Sequence, residues 1–283
     1  MDELNELRIA ARNRLLCCVV GVAVLGVAAW GLTHSFLGFL AVLIVGGLPS
    51  LFAFCLSLDR YRSVYKKRFV RRTLQTYFSD LHYAPNRGIP QEVIEDLHMM
   101  NMGTSFSSED YFQASYKGIR LEQSDVEIIK HGNRSTITLF RGRWIIVDFN
   151  KPLQTGIQIV QKGFFATVPP GFSRIEMESE TFNQDFFVFA QDAHDAFYIL
   201  TPTLMERIEN LRRENTALML CFVGNQLHIA ICDGMDHFEP DNALHKLPTR
   251  PDTLAWMIGQ DIEGITRLID ALRLDNDLFL QKV

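Results

Sequence analysis

Between Leu15 and Leu58 the sequence has no Asp, Glu, Lys or Arg. A surface segment of a water-soluble domain does not stay free of charge for so long, so this region is read apart from the rest. Cysteine is scarce: five residues in 283, none in a CxxC spacing. Cys17, Cys18 and Cys55 lie in apolar runs, Cys221 and Cys232 in predicted strands, and the count is odd. That excludes a disulfide framework and a zinc ribbon, and fits a reducing compartment. Phosphate loops, dinucleotide fingerprints, HExxH, GxSxG and EF-hand loops are all missing, so no catalytic, cofactor-binding or metal-ligating residue is assigned. Positive charge is also short where nucleic acid would need it. Residues 73–283 carry eighteen Lys or Arg against twenty-nine Asp or Glu, whereas residues 1–72 carry ten against four. An acidic domain does not offer the basic face that phosphate contacts require, which excludes nucleic acid as a partner.

The uncharged stretch divides at Thr33-His34-Ser35 into Leu15–Leu32, of 18 residues, and Phe36–Leu58, of 23. A helix crosses the hydrocarbon core with about 20 apolar residues, so the expectation is a transmembrane helical hairpin over 15–58, with spans 15–32 and 36–58. Gly21, Gly26, Ala23, Ala28 and Ala29 on the first helix and Gly38, Gly46 and Gly47 on the second predict close packing of the pair. Two alternatives are a buried hairpin in a soluble protein and a cleavable signal over residues 1–29, ending at Val27-Ala28-Ala29. A second apolar segment directly after the first argues against the signal. Arg8, Arg12 and Arg14 precede the first span, and Arg60, Arg62, Lys66, Lys67, Arg68, Arg71 and Arg72 follow the second. The excess of basic residues on these flanks puts both termini in the cytoplasm, with 1–14 as a cytoplasmic N-terminal segment of a multi-pass protein of the cell membrane. The seven basic residues after the second span are candidate membrane-surface contacts, at about 1 kcal/mol per charge on anionic lipid. The plainer reading is that they only set topology.

Tyr61, Val64, Tyr65, Phe69, Leu74, Tyr77, Phe78 and Leu81 recur at helical spacing among these charges, predicting a basic amphipathic connecting helix over 59–82. Residues 83–283 are read as one cytoplasmic α+β domain, antiparallel sheet with packed helices. A short helix is expected from Pro90 to Met100 and a loop over 101–115. Strands are expected at 119–128, 135–140, 144–149, 157–160, 164–168 and 182–190. The Arg141-Gly142-Arg143 turn is read as a hairpin between two of them. Thr203 and Glu206 are spaced as a capping box for a helix after Thr201-Pro202. Gly224-Asn225 marks a two-residue hairpin between 217–223 and 226–232. Asp252 is read as the cap of a long closing helix with Leu254, Ile258, Ile262, Ile265, Leu268, Ile269 and Leu272 on one side.

Four features carry some chemistry, each beside a plainer reading. Glu176, Glu178 and Glu180 alternate and would share one face of a strand, where carboxylates can hold a cation; a solvated face explains them as well. Cys221, His228 and Asp233 lie on or beside one hairpin, where a thiolate–imidazole pair would be a nucleophile; cysteine among apolar residues is more often inert packing. His237-Phe238-Glu239-Pro240 and His245 form a polar stretch that reads equally as a connecting loop. Phe164, Phe165, Phe182, Phe186, Phe187 and Phe189 could line an apolar pocket, or simply fill a core.

The pieces of the chain also resemble a known family. These are Ser108-Glu109-Asp110-Tyr111, Leu121-Glu122 with Ser124-Asp125-Val126, Phe140-Arg141-Gly142, and Asp148-Phe149-Asn150-Lys151. Phe182-Asn183 with Phe186 and Val188 follow, then Ile199-Leu200-Thr201-Pro202 running into Leu204-Met205-Glu206-Arg207. Phe222-Val223-Gly224-Asn225 and Phe238-Glu239-Pro240 complete the series. In that order, over roughly residues 60–240, they resemble the bacterial domain-of-unknown-function family numbered 3137. The resemblance implies two N-terminal helices in the bacterial inner membrane, one cytoplasmic domain, and a shared membrane process with LemA-type membrane proteins. It carries over no catalytic residue. The leading expectation is a membrane-tethered binding or scaffold protein that recognises another protein at the membrane. The alternatives are an enzyme with an unrecognised site acting near the membrane, and a lipid-sensing module.

Overall fold

A computed structural model describes residues 2–33, 36–148, 153–164, 168–214, 217–240 and 251–272. The chain divides into two compact units, Met1–Thr73 with Phe238–Gly259, and Leu74–His237 with Gln260–Val283.

The first unit opens with two long helices, α1 (Asp2–Thr33) and α2 (Phe36–Val64). They run antiparallel: Cys18 Sγ bonds to the Ser50 carbonyl, and Arg14 Nη1 donates to Ser57 Oγ, so rising numbers on one face falling numbers on the other. Among the described residues one helix is long and apolar enough to cross a membrane by length and composition, Glu3–Gly31 within α1, with 6% of its most apolar window buried. The expected multi-pass hairpin is thereby reduced to a single N-terminal candidate span, and a signal sequence passes the same test. The turn residues His34 and Ser35 lie outside the described residues. The expected close packing is not seen at Gly21 or Gly47: an added Cβ on either meets nothing within 4 Å.

The predicted helix over 59–82 ends early. α2 runs into a π-helical segment, Tyr65–Val70, and then α3 (Arg71–Tyr77). Ser79–Ala84 is a strand, β1, so Leu81 belongs to a sheet and not to a helical stripe.

Among the described residues nine strands form one antiparallel sheet in the order β1-β2-β3-β4-β9-β8-β5-β7-β6. They are β2 (Ser105–Tyr116), β3 (Ile119–His131), β4 (Thr136–Asp148), β5 (Ile157–Gln161), β6 (Ser173–Ile175), β7 (Phe186–Ala190), β8 (Leu218–Val223) and β9 (Gln226–Ile231). The expected loop over 101–115 is mostly β2. Its small polar residues hide a period of two, with Asp110, Phe112 and Ala114 buried in alternation. The expected hairpin at Arg141-Gly142-Arg143 is instead the middle of β4. The predicted strand 182–190 splits into a helix, α5 (Glu180–Asp185), and β7, because Ser179 Oγ caps the helix by accepting from Phe182 N–H. Gly224-Asn225 does close a two-residue hairpin, with Val223 opposite Gln226 and Gly224 at φ +57°.

Helices cover both faces of this sheet. Ile94 and Leu97, from and beside α4 (Gln91–Glu95), pack on one face with Trp144, Ile146, Met219 and Ala230. On the other lie α7 (Pro202–Glu214) and the part of the closing helix α8 (Pro251–Leu272) from Gln260 onward, joined where Arg207 Nη1 donates to the Leu272 carbonyl. Thr201, rather than Thr203, caps α7: its Oγ1 accepts from Leu204 N–H at 3.3 Å. A short helix that the sequence reading did not anticipate, α6 (Ala193–Ile199), is capped by Asp192, which accepts from His194 N–H. Asp252 lies in the first turn of α8.

Candidate functional site

Alternation along β4 sorts its side chains to opposite faces of the sheet. Trp144 and Ile146 share one face with their cross-strand partners Ala230 and His228, while Arg143 points to the other with Ile231. Arg143 lies buried against α8, its Nη1 donating to the Asp261 carbonyl at 2.9 Å and its Nη2 reaching Asp233 Oδ2 at 3.5 Å.

His237 completes this cluster. Its Nε2 lies 2.9 Å from Asp233 Oδ2 and its Nδ1 3.2 Å from Asp261 Oδ1, while its backbone N–H donates to Asp125 Oδ2 at 2.6 Å. Burial alone would lower the imidazole pKa, but the hydrogen bonds to Asp233 and Asp261 outweigh it and raise it to about 9. Burial pushes Asp233 up, yet the bond and charge of His237, with Met235 N–H and Arg143, hold it below the usual carboxylate range. Asp125 goes the other way. Burial carries its carboxyl well above the ordinary value, against the pull of His237, and its Oδ1 is buried without a hydrogen-bond partner. A cleft of about 290 Å³ opens beside the cluster, bounded also by Met235, Gln260 and Arg267.

The geometry limits what this cluster can do. A general base needs a free lone pair within reach of a substrate proton. Held as an imidazolium, His237 spends both ring N–H groups on carboxylates. The cluster is a clasp that ties the segment after β9 to α8, and His237 has no nitrogen left for chemistry.

Cys221 and His228 are direct cross-strand partners, as the hairpin predicts. Burial pushes the thiol up to about 12 and the imidazole down to about 4, so both are neutral. Trp144 Nε1 donates to His228 Nδ1 at 3.3 Å. A neutral pair of this kind is not an activated nucleophile. Asp233, the third member of that group, lies with His237 on the opposite face of the sheet from His228.

The remaining candidates scatter. Glu176, Glu178 and Glu180 do not share a strand: β6 stops at Ile175, Glu176 pairs with Arg174 at 2.6 Å, and Glu180 begins α5. Phe182, Phe186 and Phe189 are buried, and Phe164 and Phe187 pack against the core; Phe165 and His245 lie outside the described residues, as do Phe149, Asn150 and Lys151. Of the seven basic residues proposed to meet the membrane, Arg60, Arg62, Lys67, Arg68, Arg71 and Arg72 are exposed. Lys66 is not: it is 5% exposed and its ammonium is bonded to Glu239, which also takes Arg62 at 3.3 Å. Arg68 pairs with Glu3 at 2.5 Å.

The sequence reading passed over Asp125, Arg143 and Asp261 as site residues. They stand far apart in the chain, and only the pairing of β3, β4 and β9 and the docking of α8 bring them to His237. The one local signal was Arg143 directly before the apolar run Trp144 to Val147, at a buried position of β4.

These features define an α+β protein: one large antiparallel sheet with helices on both faces, preceded by an apolar N-terminal helix. More particularly, the family described as Protein of unknown function (DUF3137) has a model that matches residues 138–274, and over those residues it bears out the family that the sequence resembles. The match takes in β4 through α8, including every clasp residue but Asp125. No curated protein matches the chain. A solved structure, the mycobacterial trehalose monomycolate transport factor A, TtfA, aligns over 78% of this chain and 98% of its own length, at 8% identity and a TM-score of 0.38. A likeness at that level carries neither fold nor function to this chain.

Proposed function

We propose that the protein is a membrane-tethered binding or scaffold protein whose sheet-bearing unit recognises another protein at the cytoplasmic face of a bacterial membrane. The observation that supports it most is the exposure of apolar side chains along α1: Val24 is 61% exposed and Val27 71%. A core helix would bury these residues, and leaving so many in water is unfavourable by roughly 1.5–3 kcal/mol for each fully exposed large side chain, so a bilayer is their natural solvent. Leu37, Val45, Leu48, Leu51 and Phe52 of α2 are exposed in the same way, which favours α2 as a second span and both termini in the cytoplasm. The locked state of His237 and the neutral Cys221–His228 pair favour binding over catalysis. The family resemblance suggests a LemA-type membrane protein as the first partner to look for.

Crosslinking the full-length protein in its native membrane, followed by purification in detergent, tests this reading. The expected result is a reproducible partner that is lost when residues 73–283 are deleted. A purified protein that turns over a small molecule, with turnover abolished by one polar substitution, would replace it with the enzyme reading.

A further inference from the structure

The closing helix α8 turns one stripe to the cleft beside the clasp. Gln260, Gly264 and Arg267 follow one another at helical spacing, so they stand on a single face, and all three border the cleft of about 290 Å³. Gly264 leaves a notch between two long side chains. The floor of the notch is Arg143, whose two Nη atoms lie 2.9 and 3.2 Å from where a Cβ on Gly264 would stand. That guanidinium is poorly used. Nη1 donates to the Asp261 carbonyl, but Nη2 reaches Asp233 Oδ2 only at 3.5 Å, the outer limit of a hydrogen bond. Arg267 is exposed at the rim, and among the described residues only its Nε is bonded, to the Glu263 carbonyl at 3.3 Å. Gln260 is exposed on the other rim.

The charges on the wall choose the ligand. Both ring nitrogens of His237 face carboxylate oxygens, at 2.9 and 3.2 Å, so both donate and the ring is an imidazolium. Three cations, Arg143, Arg267 and His237, then stand against two carboxylates, Asp233 and Asp261, and the cleft carries one net positive charge. A phosphate dianion exceeds that charge and would repel Asp261, while a cation would face two guanidinium groups. A single carboxylate matches it, and is the planar two-oxygen acceptor that an arginine fork fits. The carboxylates of the wall leave room for it. Asp233 spends one oxygen on His237 and the other on Met235 N–H. Asp261 gives one oxygen to His237; its side chain is 36% exposed, and its second oxygen is an acceptor for a donor next to the ligand's carboxylate. Leu211, Met235 and Leu268 make the rest of the wall apolar.

We infer that this cleft binds a carboxylate with an N–H or O–H on the adjacent carbon: Arg143, Arg267 and the Gln260 amide hold the carboxylate, and Asp261 accepts from the neighbouring donor. The C-terminus of a partner chain has this pattern, and so does a free small acid. The first source rests on the partner-recognition reading above and names the chemistry of the contact.

The probe is N-acetylglycine, a carboxylate with one N–H on the adjacent carbon. The controls are N-acetylglycinamide, which lacks the charge, and inorganic phosphate. Each is titrated by ligand-observed NMR into the full-length protein in lipid nanodiscs at about 0.15 M ionic strength, where isolated surface charges are largely screened. N-acetylglycine should saturate one site and bind about tenfold more tightly than either control, the discrimination that one charge-assisted hydrogen bond provides. Arg267→Gln and Gln260→Glu alter exposed rim positions and leave the clasp alone, so their thermal unfolding should stay that of wild type. The first should weaken the probe about tenfold, and the second, which adds a like charge, should abolish measurable binding. Absence of saturable binding, equal binding of either control, or binding indifferent to both substitutions overturns the inference. Crosslinking in the native membrane with saturating N-acetylglycine present reads the source. Lost capture assigns the carboxylate to the C-terminus of the partner; unchanged capture assigns it to a free acid and keeps the recognition reading. Selective probe binding with no partner captured by the wild type would remove the recognition reading and leave a site for a free acid.

Discussion

Arg143 and Gly264 compete for one space: a Cβ on Gly264 would stand 2.9 Å from Arg143 Nη1 and 3.2 Å from Nη2. Elsewhere in a helix, glycine to alanine stabilises by about 1 kcal/mol, because alanine has less backbone freedom to lose. Here the guanidinium cannot give way cheaply, since it is bonded to the Asp261 carbonyl and to Asp233. Gly264→Ala is therefore expected to destabilise the protein by about 1–3 kcal/mol in denaturant unfolding, the usual cost of overpacking. In an Arg143→Met background the same change should cost much less. Equal effects in both backgrounds would mean that the two residues are not coupled.

His237 makes the clasp sensitive to alkali. Its folded pKa, about 9, stands above the ordinary value of 6.5. Its contribution to stability is thus complete below about pH 6.5 and is lost as pH rises through about 9; the shift corresponds to something on the order of 3 kcal/mol. Asp233, held below its usual range, acts at the other end and loses its contribution only as pH falls through the acid range. Thermal unfolding of wild type should show a midpoint that drops between pH 6.5 and 9.5. His237→Asn should lower the midpoint at pH 6.5 and flatten that drop. An unchanged slope in the variant would place the titration elsewhere.

The strands read most easily were those whose pattern is local. Gly224-Asn225 gave its hairpin because a two-residue turn needs positive φ at a residue that tolerates it. β3 and the apolar stripe of α8 followed from periodicity alone. β2 was missed because Ser107, Ser108, Glu109 and Asp110 are polar whether they face in or out; Asp110 is buried, bonded to Tyr83, and no local rule predicts that. The clasp was legible only as fragments. His237 and Asp233 stood out as polar residues after a hairpin, but their meaning lies in Asp261 and Arg143, 24 and 90 residues away.

Gly142 shows the same limit. In sequence Arg141-Gly142-Arg143 looks like a turn, yet the glycine lies within β4 at φ +152°, where an added Cβ would run into the Ile231 carbonyl and come within 3.1 Å of Asp233 N. Its role is to let the chain leaving β9 pass close by. Gly142→Ala should cost about 2 kcal/mol or more in unfolding free energy, with loss of the Asp233–His237 bond. The check is the pH profile: in this variant the fall in stability above pH 6.5 should shrink along with total stability.

The basic segment separates a structural charge from surface charges. Lys66 is buried and held by Glu239, so Lys66→Met leaves that carboxylate with only the exposed Arg62. Removing one partner of a buried pair costs about 3–5 kcal/mol, and the loss should appear as a lower unfolding midpoint. Glu239→Gln in addition should restore part of it. Arg71 and Arg72 are exposed and, under the membrane-surface proposal, each is worth about 1 kcal/mol on anionic lipid. Arg71→Gln with Arg72→Gln should leave stability unchanged, and should weaken binding of a fragment beginning at residue 59 to phosphatidylserine vesicles by more than tenfold. Sedimentation with vesicles of neutral and anionic lipid reads this directly. Equal sedimentation with both lipids would end the lipid-contact role and leave these charges with topology alone.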